Sequence, residues 1–180
     1  MWEIDLKQPK GLHWFRLYRL YRSAFPREER KPFSIIVKMY RQGKSDIWCV
    51  MLDGKFVGLS ATINGGDIIL LDYFAVKKEY RGRGIGSVTF KKLLEIYRGH
   101  GLFVEIESTQ SHSPGKLQRQ KRKKFYLAAG LEEFHTCAEV FGVEMELLGK
   151  GCHLDFDGYQ TFYREQYSPW AAEHIRPISE

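Results

Sequence analysis

Between an apolar run ending at Val76 and a second apolar-periodic stretch from Ile85 lies Arg81-Gly82-Arg83-Gly84-Ile85-Gly86-Ser87. Glycines at this spacing let the main chain approach a ligand closely and take left-handed angles that other residues resist. A helix opening at the same place leaves its first N–H groups unpaired and carries partial positive charge. A strand, a glycine-rich turn and a helix start together make a site for a phosphate or pyrophosphate, and Arg81 and Arg83 add charge to it. The spacing also separates this turn from two nucleotide-binding patterns. A Walker loop needs GxxxxGK[ST], and no Lys follows these glycines. A dinucleotide fold needs GxGxxG after a first buried strand, whereas here RxxGxG follows a third antiparallel strand.

The elements that must position this turn can be read on both sides of it. Leu17, Tyr18, Tyr21, Ala24 and Phe25 recur at helical spacing with Arg16, Arg19 and Arg22 opposite, and Pro26 ends that helix. A second helix is expected from Pro32 to Gln42, with Gly43 suited to its left-handed cap. Strands follow over Asp46–Leu52, Lys55–Ile63 and Asp67–Val76, joined by Asp53-Gly54 and by Asn64-Gly65-Gly66, which makes an antiparallel meander. Ile85–Arg98 reads as a helix and Leu102–Glu107 as the next strand, a unit that implies parallel pairing with a right-handed crossover. After a polar loop at Ser108–Gln118 come a basic helix (Arg119–Ala129), a hairpin (Phe134–Val140 with Val143–Leu148) and a last helix at Gly158–Tyr167. The expectation is a single α/β domain over 1–180 with a mixed sheet, in which 152–180 is a helical extension.

Composition narrows the class. The 180 residues include 12 Phe, 10 Tyr and 4 Trp, an aromatic content at odds with disorder. The longest stretch free of Asp, Glu, Lys and Arg, Phe56–Gly66, is too short and polar to span a bilayer. The start has early acids and no apolar core of a secretory signal. Three cysteines (Cys49, Cys137, Cys152) with no CxxC spacing fit reduced thiols in a cytoplasmic protein. The six scattered histidines support no metal site. Lys and Arg exceed Asp and Glu by 28 to 22, which leaves a partner for the positive excess to be found.

At this point the chain resembles a known family. Arg81-Gly82-Arg83-Gly84-Ile85-Gly86, after Phe74-Ala75-Val76 and before a helix, is similar to the acetyl-CoA motif of the GNAT acetyltransferase superfamily. The order of elements from about residue 12 to 148 follows that family. Phe125-Tyr126-Leu127-Ala128-Ala129-Gly130-Leu131 resembles its FYxxxGF segment. The resemblance implies the GNAT fold and N-acetyl transfer from acetyl-CoA to a primary amine by direct attack, without a metal. It implies that amides from Arg81 to Ser87 (Arg81, Gly82, Arg83, Gly84, Ile85, Gly86, Ser87) cradle the CoA pyrophosphate. Main-chain groups of Phe74, Ala75 and Val76 would pair with the pantetheine arm and polarise the thioester carbonyl beside a strand bulge. Tyr126 matches the tyrosine that protonates the leaving thiolate. Asp72 stands where many members carry a carboxylate and is the first candidate for the base, with Glu105, Glu107 and a water chain as alternatives.

Other features leave their roles open. The run Gln118–Lys124 reads as a solvated helix face, as a cofactor contact through Arg122, or as a nucleic-acid patch; the last is disfavoured because no interleaved stacking aromatics accompany it. Glu28 and Glu29, between the first two helices, and Glu107 are expected to contact the amine acceptor, and the loop from Thr109 to Gly115 to border it. The C-terminal segment with Trp170 and several tyrosines packs either on the domain or on a second copy in a homodimer. A CoA-sensing module without catalysis is the alternative reading of the whole chain.

Overall fold

Short-range apolar periodicity accounts for most elements of the computed structural model, which describes residues 3–178; residues 1–2 and 179–180 of the expected 1–180 span lie outside the described residues. The chain enters on strand β1 (Ile4–Lys7) and continues through helices α1 (His13–Ala24) and α2 (Phe33–Arg41). Strands β2 (Ser45–Leu52), β3 (Lys55–Asn64) and β4 (Ile68–Val76) lead to helix α3 (Ile85–Ile96) and strand β5 (Gly101–Glu107). Helix α4 (Lys116–Ala128), strands β6 (Glu132–Val140) and β7 (Val143–Lys150), helices α5 (Phe156–Gln166) and α6 (Pro169–Glu173), and strand β8 (Ile175–Pro177) complete it. The sheet has eight strands in the order β1-β2-β3-β4-β5-β7-β6-β8, mostly antiparallel with one parallel pair. This is the expected mixed α/β architecture. Among the described residues no helix is long and apolar enough to cross a membrane.

Two strands depart from the sequence reading. β1 pairs antiparallel with β2 from Ile4↔Leu52 to Lys7↔Cys49. β8 pairs with β6, Ala138 opposite Pro177 and Val140 opposite Ile175, so the 152–180 segment is not wholly helical. Strands of four and three residues are too short to show a period. They form because an existing sheet edge supplies their hydrogen bonds.

The chain divides into two compact units. One holds the residues up to Asn64 together with Leu71–Ile96, and the other holds Gly65–Leu70 and the residues from Tyr97 onward. In the first, Asp53 and Gly54 both take positive φ (46° and 76°), the conformation a two-residue hairpin turn demands. Val50 faces Gly58 while Met51 faces Phe56, so β3 carries an extra residue at Val57. A Cβ at Gly58 would sit 2.7 Å from the Ala75 carbonyl oxygen, which restricts that position to glycine. Leu17, Leu20 and Tyr21 of α1 and Ile36 of α2 pack on Ile47, Cys49, Leu59, Ala61, Tyr73 and Ala75. Val50 and Val57 point the other way, to Ile4 and to Ile85 at the start of α3. Each fully buried side chain of this size contributes about 1.5–3 kcal/mol.

In the second unit Gly101 donates its N–H to the Asp67 carbonyl at 2.8 Å. β5 pairs with β7 without interruption from Leu102↔Lys150 to Glu107↔Met145. Phe103 meets Phe162 and Tyr159 of α5 edge-on, with ring centres 5.1 and 6.3 Å away. A register break between Glu133 and Cys137 coincides with positive φ at His135.

Buried phenols give this fold a marked alkaline sensitivity. Burial pushes Tyr126 up to about 12, partly offset by the charge of Arg122, and burial likewise raises Tyr21 to about 12. A phenol in the unfolded chain ionises near 10. The stability that these groups contribute is therefore complete below pH 10 and is lost as pH rises towards 12, by about 2–3 kcal/mol for Tyr126 alone. Urea midpoints are expected to stay level from pH 7 to about 9.5 and then drop steeply. A midpoint unchanged at about pH 11.5 would contradict the burial of these hydroxyls.

Candidate active site

After β4 the chain makes a single 3-10 turn, Lys78–Tyr80, with the Arg81 N–H donating to the Lys78 carbonyl at 3.2 Å. Gly82 and Gly84 follow with φ of 74° and 78°. A Cβ at either would meet nothing within 4 Å, so the main-chain conformation, not crowding, calls for glycine there. The Val88 N–H donates to the Gly84 carbonyl at 3.1 Å and starts α3. Arg81 to Gly84 are exposed, while Ile85 is buried against Val50 and Val57 and fixes the first helical turn. That turn holds no acidic residue. A helix start with no acid in its first turn leaves N–H groups that fit a pyrophosphate.

The arginines are more than free charges. Arg81 donates its Nε–H to the Val76 carbonyl at 2.8 Å and so braces the turn on the end of β4. The Val76 carbonyl, expected to pair with a cofactor arm, accepts this bond. The Arg83 guanidinium lies 5.7 Å from the Tyr80 ring centre.

Along β4 the side chains alternate. Leu71, Tyr73 and Ala75 are buried, and Asp72, Phe74 and Val76 are half-buried. Phe74 reaches the Phe90 ring of α3, whereas Asp72 reaches the ammonium of Lys31. Asp72 Oδ1 lies 2.6 Å from Lys31 Nζ, with the Asp72 side chain only 4% exposed. Tyr73 then holds the neighbouring segment. Its hydroxyl accepts the Lys31 N–H and donates to the Glu29 carbonyl, both at 3.0 Å, while the Tyr21 hydroxyl donates to the Lys31 carbonyl at 2.8 Å. Residues 29–31 are thus strapped to the sheet. Glu28 is exposed and Glu29 half-buried on the 3-10 turn Arg27–Glu29 that precedes them.

The second unit holds Tyr126, Arg122 and Glu107. Tyr126 is buried near the end of α4, its ring centre 5.1 Å from that of Phe125, and its raised pKa keeps the phenol protonated throughout the neutral range. Arg122, one turn earlier, is exposed. Glu107 accepts from Arg119 Nη1 at 3.1 Å and from the Ser113 hydroxyl at 2.6 Å. Glu105 accepts the Tyr159 hydroxyl at 2.7 Å.

Several residues here escaped the sequence reading. Arg119, in the charged run Gln118–Lys124, is 3% exposed. It donates to the carbonyls of Ser111, Ser113 and Pro114 at 2.7–2.9 Å and so orders the loop after β5. Glu146 of β7 holds the near end of that loop through the N–H and hydroxyl of Thr109 and the ammonium of Lys123. Burial acts to raise the Glu146 pKa, but the bonds from Lys123 and Thr109 overcome it and hold the carboxyl below its ordinary range. Lys31 gave no signal, because its partner is 41 positions away.

The described residues contain no cluster of three or more His, Cys, Asp or Glu able to hold a metal. Cys49, Cys137 and Cys152 are free thiols.

Comparison with known proteins agrees with this arrangement. No curated protein matches the chain. Among solved structures, a GNAT-family protein from Bacteroides thetaiotaomicron superposes with a TM-score of 0.75 at 17% identity, over 94% of this chain and 98% of that one. The ribosomal L7/L12 α-N-protein acetyltransferase RimL, in complex with coenzyme A, gives 0.60 at 11% identity over 82% and 93%. A spermidine N-acetyltransferase, a chimera of the Vibrio cholerae enzyme, gives 0.64 at 12% over 81% and 93%. Residues 14–115 match the family model for the acetyltransferase (GNAT) family. That span covers the glycine turn, the strand before it and the helix it opens; the chain belongs to the acetyltransferase (GNAT) family.

Proposed function

We propose that the chain transfers an acetyl group from acetyl-CoA to a primary amine by direct attack in a ternary complex. The observation that carries this reading is the exposed turn at Arg81–Gly84, with two left-handed glycines opening an acid-free helix start. Amides from Gly82 to Ser87 bind the pyrophosphate, with Arg83 beside them and Arg81 bracing the turn. Main-chain groups of Phe74 to Val76 receive the pantetheine arm, and an amide of this segment stabilises the oxyanion that develops at the acyl carbon. The bound thioester supplies an activated acyl group and a good leaving group. Tyr126 donates to the sulfur as the C–S bond breaks.

The amine must lose a proton before it attacks. Asp72 is held by the Lys31 ammonium, and Glu107 by the Arg119 guanidinium. Asp72 then serves to anchor residues 29–31, and Glu107 to order the loop after β5. Asp72 is the first candidate to take that proton, with Glu105, Glu107 and a water chain as alternatives. Glu28 and Glu29 attract the cationic acceptor. The matched structures include enzymes named for a ribosomal-protein α-amine and for spermidine, one of them solved with coenzyme A, which supports an amine acceptor and a CoA donor.

Thermal unfolding with and without acetyl-CoA tests the first half. At 100 times the dissociation constant a native-state ligand adds about 2.7 kcal/mol, and no shift at millimolar acetyl-CoA would refute the proposal. Thiol release from acetyl-CoA over a panel of peptides with free α-amines, polyamines and small primary amines tests the second. Stabilisation without thiol release from any of them would leave a CoA-binding module without catalysis.

A further inference from the structure

Helix α1 buries Leu17, Leu20 and Tyr21 in the core, so helical spacing carries Leu12, Phe15, Arg16, Arg19 and Arg22 to its outer side. All five are exposed, Leu12 by 74% and Phe15 by 60%, where a surface helix ordinarily carries polar groups. The charge on this stripe has one sign. Neither α1 nor α2 contains an acidic residue, and among the described residues no carboxylate pairs with Arg16, Arg19 or Arg22. Two of the arginines are ordered nevertheless. The Arg19 guanidinium lies 5.8 Å from the centre of the Phe15 ring, and that of Arg22 lies 5.7 Å from the Tyr18 ring. Arg22 Nη1 also donates to the Tyr18 hydroxyl at 3.5 Å. Side chains already stacked on a ring lose less freedom when they meet an anion.

We propose that the outer side of α1 docks an acidic amphipathic segment of another protein: its apolar side chains cover Leu12 and Phe15, and its carboxylates meet Arg19 and Arg22. Charge complementarity calls for an anion, and the guanidinium fork matches a carboxylate through two parallel hydrogen bonds. The apolar half of the stripe selects among anions. Phosphates of a nucleic acid would leave Leu12 and Phe15 in water. A helix that lies on a lipid surface turns its apolar side to the bilayer, whereas the apolar side of α1 is buried in the core. Arginine and aromatic side chains are also the groups that most often anchor protein interfaces. α1 packs on the side of β2 and β3 that carries Ile47, Cys49 and Leu59. Ile85, behind the glycine turn, packs on the other side with Val50 and Val57. A segment docked on α1 therefore leaves the glycine turn free, and the proposal does not rest on the acyl-transfer reading.

Fluorescence anisotropy on the full-length protein at physiological salt tests it. The probe is a labelled helical peptide of about 15 residues, built of Glu, Ala and Leu with the leucines three and four positions apart. It is expected to bind about tenfold more tightly than the same peptide with Glu replaced by Gln, or with Leu replaced by Ser. Arg19→Gln with Arg22→Gln should weaken binding by about tenfold or more, and Phe15→Ser by about tenfold. Lys121→Gln with Lys124→Gln, exposed on α4, should change it by less than about twofold. All these positions are exposed, so melting temperatures and the acetyl-CoA-induced shift should keep their wild-type values. No saturable binding of the peptide overturns the proposal. Equal losses in the α1 and α4 variants also overturn it, because they mark net charge rather than a site. Tighter binding of a single-stranded RNA, or of phosphatidylserine–phosphatidylcholine vesicles, that depends on Arg19 and Arg22 assigns the face to that occupant and overturns the proposal. Self-association of the protein that the α1 substitutions abolish does the same for a second copy of this chain.

Discussion

Tyr126→Phe is expected to lower kcat for acetyl transfer by roughly 100-fold, with acetyl-CoA affinity changed less than about threefold. The substitution removes one oxygen and keeps the ring that packs beside Phe125, so the helix end should hold its place. The lost function is donation to sulfur as negative charge builds there, an interaction made only in the transition state, which lowers kcat without weakening ground-state binding. The pH dependence sharpens the assignment. With a pKa of about 12, Tyr126 is protonated at every pH where the protein is stable. Any alkaline fall in the wild-type rate below about pH 10 must therefore come from another group. Steady-state thiol-release rates for both proteins check this, and a variant keeping more than about a third of wild-type kcat removes Tyr126 from the reaction.

Gly84→Val is expected to weaken acetyl-CoA binding by at least about 100-fold, through two displaced amide–phosphate hydrogen bonds of about 1.5–3 kcal/mol each. At φ 78° a β-branched side chain pays backbone strain of about 1–2 kcal/mol, which the turn relieves by rotating its amides away from the ligand. The space around the position is open, so melting temperature should fall by only a few degrees. Gly84→Ala should show a milder version of the same pattern. Calorimetric titration with acetyl-CoA, beside thermal unfolding of the apo protein, separates the two effects. A Val variant binding within about threefold of wild type would show that this turn does not hold the phosphates.

Much of the fold was legible because its signals are local. Asp53-Gly54 announced a tight hairpin, and the structure gives both residues positive φ. Pro26 and Gly43 bounded two helices within a residue or two of where they end. The glycine turn was readable for the same reason, since conformation and helix polarity at Arg81–Ser87 depend on adjacent residues only. Signals failed where formation depends on a partner. β1 and β8 exist because β2 and β6 offer them edges. Arg119 looked like one more cation in Gln118–Lys124, and only the returning loop, which presents three carbonyls to it, gives it an interior role.

The carboxylates show the division most clearly. By itself the sequence determined that strands β4 and β5 carry acids at 72, 105 and 107, that a tyrosine ends the helix after them, and that a glycine turn opens α3. Residue type and short spacing suffice for each of these. Only the tertiary structure decided which side chains these acids meet: Asp72 meets Lys31, Glu107 meets Arg119, and Glu105 meets Tyr159. A charge is tuned by what lies within about 4–6 Å of it in space, and those neighbours are 41, 12 and 54 positions away along the chain.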